Sequence, residues 1–333
     1  MVRPVDVRDR PVSWGVLSTA RIGAALIGAA RQTAVADVVA VASRDIAPAR
    51  AFAQQHGIAR AHGSYDDLLA DPQVEAVYVP LPNAMHVDWS VRALQAGKHV
   101  LCEKPMDRRP EKVARAFDLA ERWGLVLSEA FMWRHNPQTA RLRGLLDEGA
   151  IGDVRLVRAC FSFMLARDVD VRLDPALDGG ALMDVGCYCV SGARLVAGRE
   201  PQSVAAEVVT GPTGVDIRLT GQLRFDDDLL GIVDCGLDVT SRNELEVVGS
   251  EGRIVLPDPW HCIAPRIVVE RGYEREVLEL KPADSYRLQL EDCSAAIRRE
   301  RAPLLGRADA LGQSRTIDAL YRSAAEGRTV PVG

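Results

Sequence analysis

The sequence has no apolar run long enough for a helix to cross a bilayer. It also has no surplus of positive charge. Its 41 lysines and arginines face 46 aspartates and glutamates, for a formal net charge of −5. A general nucleic-acid binder needs a basic surface, so that class is set aside. The seven cysteines (Cys102, Cys160, Cys187, Cys189, Cys235, Cys262 and Cys293) are odd in number and include no C-x-x-C pair. That pattern speaks for reduced thiols in a cytosol, not for disulfides or a zinc site. The six histidines are scattered without metal-ligand spacing. The opening stretch MVRPVDVRDRPVSWG is charged and broken by proline, so it lacks the apolar centre of a signal peptide and reads as a loose arm. Internal repeats and low-complexity tracts are missing too. What remains is ordinary: 333 residues, 47% hydrophobic and 26% charged. This suits a cytoplasmic globular protein with two domains and a sizeable core.

The first 130 residues alternate short apolar runs with amphipathic stretches. SWGVLS (13–18) precedes a helical stretch from Arg21 to Ala30. VVAVAS (38–43) precedes IAPARAFAQQHG, and YDDLLA follows Ser64. AVYVPL (76–81) precedes MHVDWSVRALQAG, HVLCEK (99–104) precedes PEKVARAFDLAERWG, and LVLSEA (125–130) closes the series. Strands separated by helices with glycine stops predict a doubly wound parallel sheet covered on both faces. The second half differs. After a helix around Gln138–Glu148, the chain from DVRLVRACFSFM onward is rich in strands, with VDIRLTGQLRF alternating Val215, Ile217 and Leu219 against Asp216, Arg218 and Thr220. The G-S-E-G at 249–252 reads as a hairpin turn. Two helices, near 285–300 and 308–326, close the chain. The expectation is a Rossmann domain over 1–130, then an α+β domain over 131–333 with a large, open, mainly antiparallel sheet.

Chemistry is carried at four places. The first strand–turn–helix, GVLSTARIG, places small residues where a G-x-G-x-x-G fingerprint would stand, Ser18-x-Ala20-x-x-Gly23 with Gly15 earlier, and Thr19, Arg21 and Ile22 complete the candidate turn. Such a turn lets backbone approach a pyrophosphate at a helix N-terminus, although small residues there also serve plain packing. At the end of the second strand, where an NAD site carries an acidic residue, the chain has Ser43 and Arg44, with Asp45 one step later. A hydroxyl and a guanidinium suit a 2′-phosphate, which favours NADP over NAD. The competing reading stacks Arg44 on the adenine and gives the ribose to Asp45. The fifth strand leads into Glu103-Lys104-Pro105, and the proline holds Lys104 extended at the carboxyl end of the sheet. Whether Pro105 is cis is open from sequence. Finally, GGALMDVGCY puts Asp184 and Tyr188 four residues apart, on one helical face. A carboxylate and a phenol at that spacing can bracket a hydroxyl-bearing carbon, with the phenol as acid and base beside a cation such as Lys104. The alternative is an amphipathic helix with a buried tyrosine.

These stretches resemble the Gfo/Idh/MocA oxidoreductases. GVLSTARIG, VVAVASRD, AVYVPLPNAMH, AGKHVLCEKPM, SEAFMWRHNPQ and GGALMDVGCY span most of the first 190 residues in the family's order, AGKHVLCEKP being the most specific. The finer likeness is to the branch with dihydrodiol dehydrogenases and D-xylose 1-dehydrogenases. The resemblance implies that Lys104 orients the substrate oxygen and that Asp184 and Tyr188 form the D-x-x-x-H/Y pair. It also implies that Leu81, Asn83, His86 and Glu103 line the nicotinamide ribose, and that Arg134 approaches the nicotinamide. Ser18 and Ala20 depart from the fingerprint glycines. Tyr188 stands where inositol-type members carry histidine, so polyol assignments do not carry over. The implied partner is a small carbohydrate, and the implied assembly is a homodimer or dimer of dimers through the second-domain sheet. The function expected is an NADP-dependent aldose dehydrogenase. Alternatives are a ketoreductase of a nucleotide-linked deoxysugar, an NAD-dependent glycosidase, and a non-catalytic dinucleotide-sensing regulator.

Overall fold

The computed structural model describes residues 10–166, 169–226 and 228–333. The expected N-terminal arm lies, up to residue 9, outside the described residues. The chain forms two compact units. The first comprises residues up to 107, 111–132 and 284–310, and the second 108–110, 133–283 and 311–333.

In the first unit, strand and helix alternate as β1 (Val12–Leu17), α1 (Arg21–Ala30), β2 (Ala36–Ala42), α2 (Ile46–Gln55), β3 (Arg60–His62), α3 (Tyr65–Ala70), β4 (Ala76–Val79), α4 (His86–Gln95), β5 (His99–Cys102), α5 (Pro110–Trp123) and β6 (Leu127–Glu129). All pairings are parallel, and the order across the sheet is β3-β2-β1-β4-β5-β6. β4 is buried at every position, as expected of a strand covered on both faces. The strand order reverses between β1 and β4, and ligands of such sheets bind beyond the carboxyl ends at that crossover. Gly15 lies inside β1. A Cβ there would come 2.7 Å from a methyl of Leu68, so its missing side chain is used to pack β1 against α3. β5 stops at Cys102, two residues short of the stretch the apolar pattern suggested, because Glu103 turns its carboxylate onto Tyr78 and onto its own neighbour's N–H.

His99, at the start of β5, accepts a hydrogen bond at Nδ1 from the Val126 N–H at 2.9 Å. Burial lowers its pKa to about 4; Glu75 pulls the other way, and Arg298 and Arg299 add to the lowering. The neutral ring is therefore the native form. As the pH falls below 6.5 the unfolded chain takes up the proton first, and stability drops until the folded ring titrates near 4. The expected loss is about 2 kcal/mol between neutral pH and about pH 5. Thermal unfolding across that window, compared with His99→Gln, measures it; equal slopes for the two proteins would refute it.

The second unit holds α6 (Pro137–Asp147), β7 (Val154–Met164), α7 (Cys187–Ala197), β8 (Ser203–Thr210), β9 (Asp216–Arg224), β10 (Leu230–Gly236), β11 (Asp238–Gly249), β12 (Arg253–Leu256), β13 (Arg266–Arg271) and β14 (Glu274–Glu279). The chain then runs through α8 (Ser285–Ile297), which belongs to the first unit, and ends with α9 (Arg307–Glu326) and β15 (Val330–Pro331). The nine strands order as β14-β13-β12-β11-β7-β10-β9-β8-β15. β7 and β10 are parallel and the other pairs antiparallel. The β11–β12 hairpin turns where G-S-E-G predicted, closed by the Gly249 N–H donating to Gly252 O at 2.8 Å. One face of the sheet is packed by α7. The alternation along β9 holds from Arg218 onward, but Asp216, placed by its period on the polar side, is 7% exposed. All seven cysteines are buried, and none is in a disulfide. Among the described residues, no helix is long and apolar enough to cross a membrane and no side-chain cluster could hold a metal ion.

Candidate active site

The turn after β1 is built for an anion. Ser18 has φ 137°, a conformation that favours glycine, so the fingerprint backbone persists with a serine in it. Its hydroxyl donates to Pro80 O at 3.2 Å and accepts from the Ala20 N–H at 3.1 Å. α1 follows Ala20 as its N-cap, with no side-chain cap and no acidic residue in its first turn. By contrast, Asp45, Ser64, Asn136 and Asp284 cap α2, α3, α6 and α8. The N–H groups around Thr19, Arg21 and Ile22 and the positive end of the helix dipole therefore suit a phosphate. Beyond β2, Ser43 is half-buried and Arg44 exposed. Asp45 accepts from the Ala47 N–H at 3.0 Å as the cap of α2, so its carboxylate already has a structural use. These residues fit a dinucleotide carrying a 2′-phosphate.

The loops after β4 and β5 are tied together by His86. The ring is 1% exposed; Nε2 lies 2.7 Å from Leu81 O and Nδ1 2.8 Å from Pro105 O. Burial lowers its pKa and Lys104 adds to that, although the two carbonyls favour the charged ring. Both ring nitrogens thus lie against backbone carbonyls, one in each loop. Asn83 sits half-buried in the short turn that leads from β4 into α4. Glu103 is 9% exposed and accepts from the Tyr78 phenol and from the Lys104 N–H at 3.1 Å. The Lys104–Pro105 peptide is cis. Lys104 is itself half-buried at the carboxyl end of the sheet, as expected.

In the second unit, Asp184 and Tyr188 are carried by one continuous helical segment. A π-helical turn, Leu182–Gly186, runs directly into α7. From Gly180 to Arg194 only Asp184 and Tyr188 are more than slightly exposed. The two therefore share the one accessible face, one turn apart, as their spacing predicts. π-Turns inside helices recur at functional sites. Asp184 Oδ2 accepts from Arg172 Nε at 2.7 Å, and Arg172 Nη1 reaches Asp170 at 3.2 Å. The Tyr188 ring packs edge-on against Phe161 (centroids 5.4 Å) and lies 6.0 Å from the Trp260 ring. Arg134 extends over Trp133 and donates to the Ser191 hydroxyl on α7 at 3.3 Å.

Sequence reasoning missed Arg172, the Phe161–Trp260 wall and Tyr78. Arg172 sits in D-V-R-L-D, whose aspartates cap two short turns, and no periodicity singles it out. Tyr78 was findable, because a phenol inside the apolar run AVYVPL needs a partner when buried.

An uncapped first turn, a guanidinium at the end of β2 and a lysine beyond β5 in the first unit, and separately a carboxylate–phenol pair in the second, are the residue types expected of an oxidoreductase that works with a pyridine dinucleotide. The chain belongs to the Gfo/Idh/MocA family. The oxidoreductase model with an NAD-binding Rossmann fold matches residues 12–131, and the family's C-terminal domain model matches 139–255. The chain is 39% identical over 322 residues to D-xylose 1-dehydrogenase (NADP(+)) 2 of Haloferax volcanii, covering 95% of this chain and 98% of that one. It is 35% identical over 266 residues to the human trans-1,2-dihydrobenzene-1,2-diol dehydrogenase, covering 79% of each. Among solved structures it resembles KijD10, a 3-ketoreductase from Actinomadura kijaniata in complex with NADP and TDP-benzene. The TM-score is 0.90 and the identity 30%, over 94% of this chain and 98% of that one.

Proposed function

We propose that this protein is an NADP-dependent aldose dehydrogenase that oxidises a hydroxyl-bearing carbon of a small, uncharged sugar. The observation that carries the reading is the Asp184–Tyr188 pair on an otherwise buried segment, with Asp184 held by Arg172. Bound NADP would supply the hydride acceptor. The Lys104 ammonium donates a hydrogen bond to the reacting oxygen and stabilises negative charge on it. Tyr188 takes the hydroxyl proton as general base and returns it in the reverse direction. Asp184, held in place by Arg172, accepts from a neighbouring hydroxyl and orients the ring. The Phe161–Trp260 wall beside Tyr188 offers an apolar face to the C–H side of a sugar.

A ketoreductase acting on a nucleotide-linked sugar is the second reading, favoured by the likeness to KijD10. A diphosphate calls for free cations. The guanidinium at Asp184, Arg172, is instead matched by Asp170 and Asp184, and in the same unit Arg108 and Arg109 are matched by Asp178. This supports the aldose. A dinucleotide-sensing regulator has no use for the pair, and an NAD-dependent glycosidase would show no net turnover of free coenzyme.

The protein works in the cytosol as a homodimer. Supporting the dimer, Val209, Leu230, Ile232 and Val277 on the open sheet are 36–45% exposed in the single chain. Light scattering at micromolar concentration tests this assignment; a monomer refutes it.

The test of function is an absorbance screen for NADPH formation over aldoses, dicarbonyls and nucleotide-linked sugars with both coenzymes. Turnover of pentoses or hexoses with NADP is expected. Binding without turnover on any of them overturns the reading. Arg44→Ala tests the coenzyme: NADP affinity should fall about tenfold to a hundredfold, the scale of one charged hydrogen bond, while NAD affinity holds. Equal losses for both overturn the 2′-phosphate assignment.

A further inference from the structure

A buried carboxylate lies behind the segment that carries Asp184 and Tyr188, and neither the sequence motifs nor the mechanism above uses it. Asp216, at the start of β9, is 7% exposed. Its Oδ2 accepts from the Leu182 N–H at 2.7 Å, at the first residue of the π-turn, and its Oδ1 accepts from the Tyr321 hydroxyl of α9 at 2.9 Å. The Ala181 N–H also donates to it. The preceding chain is shaped around this carboxylate. Gly180 has φ 124°, and a Cβ there would stand 2.1 Å from Asp216 Oδ1. The Gly180 N–H donates to Arg172 O at 2.8 Å, and the same Arg172 holds Asp184 through its side chain.

We infer that Asp216 is a positioning residue for the reaction: with Tyr321 it clamps the N-terminus of the π-turn, and so fixes the direction in which Asp184 and Tyr188 project. The inference rests on the role given to that pair under the proposed function. A carboxylate at a helix start binds the N–H groups that have no partner of their own and complements the helix dipole. Here the clamp sits two residues from Asp184 and six from Tyr188, on a turn whose i→i+5 geometry needs support. Misplacing a catalytic group by about 1 Å costs about 10²-fold in rate, so a clamp of this kind is read in turnover before it is read in binding.

The clamp is also sensitive to pH. Burial pushes the Asp216 carboxyl up to about 6, against the bonds from Leu182 and Tyr321. The groups facing it are the Tyr321 phenol, the Cys235 thiol of β10, and Arg108 stacked over the Tyr321 ring at 5.3 Å. A depressed rate on the acid side of about 6 follows, because the protonated acid accepts the Leu182 and Tyr321 bonds more weakly.

The test uses the full-length protein and three variants. Asp216→Asn should lower kcat about tenfold or more, leave the Kd for NADPH within about twofold, and flatten the acid limb of the kcat profile. Gly180→Ala, which crowds the carboxylate, should give the same loss. Tyr321→Phe, the mildest change, should lower kcat a few-fold. Hydrogen exchange supplies a readout independent of turnover: the amides of 181–188 should exchange faster in Asp216→Asn. Normal kcat and an unchanged pH profile in Asp216→Asn and Gly180→Ala overturn the inference while leaving the proposed function intact. So does unchanged exchange at 181–188. A parallel fall of melting temperature, coenzyme affinity and rate in all three variants overturns it as well, because that is what general structural damage produces. A normal rate in Tyr188→Phe would instead strike the proposed function itself, with the exchange measurement still deciding whether Asp216 is a clamp.

Discussion

Lys104→Ala is expected to reduce kcat/KM by about 10²- to 10³-fold, the scale of losing one preorganised donor to developing negative charge, while NADPH still binds. The second half of that expectation comes from how the loop is anchored. The backbone around residue 104 is held by bonds that do not involve the lysine side chain. The Lys104 N–H donates to Glu103 Oε2, Glu103 takes the Tyr78 phenol, and His86 bridges Leu81 O and Pro105 O. Removing the ammonium therefore leaves the ends of β4 and β5 where they are. The turn at Ser18 and the α1 N-terminus, proposed to take the coenzyme phosphates, lie in another part of the same unit and keep their own bonds. Steady-state rates and a titration of NADPH fluorescence separate the two effects. Lost coenzyme binding with normal chemistry on the remaining bound fraction would refute the assignment of Lys104 to the substrate oxygen.

The alternation of strand and helix in the first unit was legible because its strands are apolar on both faces and its helices are amphipathic, so hydrophobic period alone separates them, while the lateral order of the strands was not. The bond network was not. Hydrophobic pattern records which residues are buried, not which buried polar groups meet. Tyr78 and Glu103 are 25 positions apart, and Leu182 and Asp216 are 34 apart. Nothing local at either end announces its partner. The Asp184–Tyr188 pair was legible for the opposite reason, since four residues along a helix bring two side chains to one face. The π-turn beneath them was not, because one extra residue in a turn leaves the apolar pattern almost unchanged. Ser18 shows a third case. The fingerprint by residue type is broken, yet the backbone conformation that glycine would supply is present at φ 137°. A motif read as letters undercounts such sites. Gly15 shows the converse, a motif glycine whose small size is used for packing against Leu68.

Tyr188→Phe should lower kcat by about 10²-fold or more, the usual loss when a general acid–base group is removed. The substitution isolates the hydroxyl because the ring is held by other means. Phe161 packs edge-on against it, and the Trp260 ring lies beside both, itself fixed by its indole N–H donating to Cys160 O at 3.0 Å. A phenylalanine fills the same space, so folding and coenzyme affinity should stay near wild type. If Tyr188 carries the proton and Lys104 stabilises the oxygen it leaves, the two act on one transition state. The double variant Lys104→Ala/Tyr188→Phe should then be little worse than the slower single variant, since residues that act as a unit are strongly non-additive. Multiplicative losses would mean that the two serve separate steps. A full rate in Tyr188→Phe would move the proton to another group and leave the phenol as no more than part of the aromatic wall.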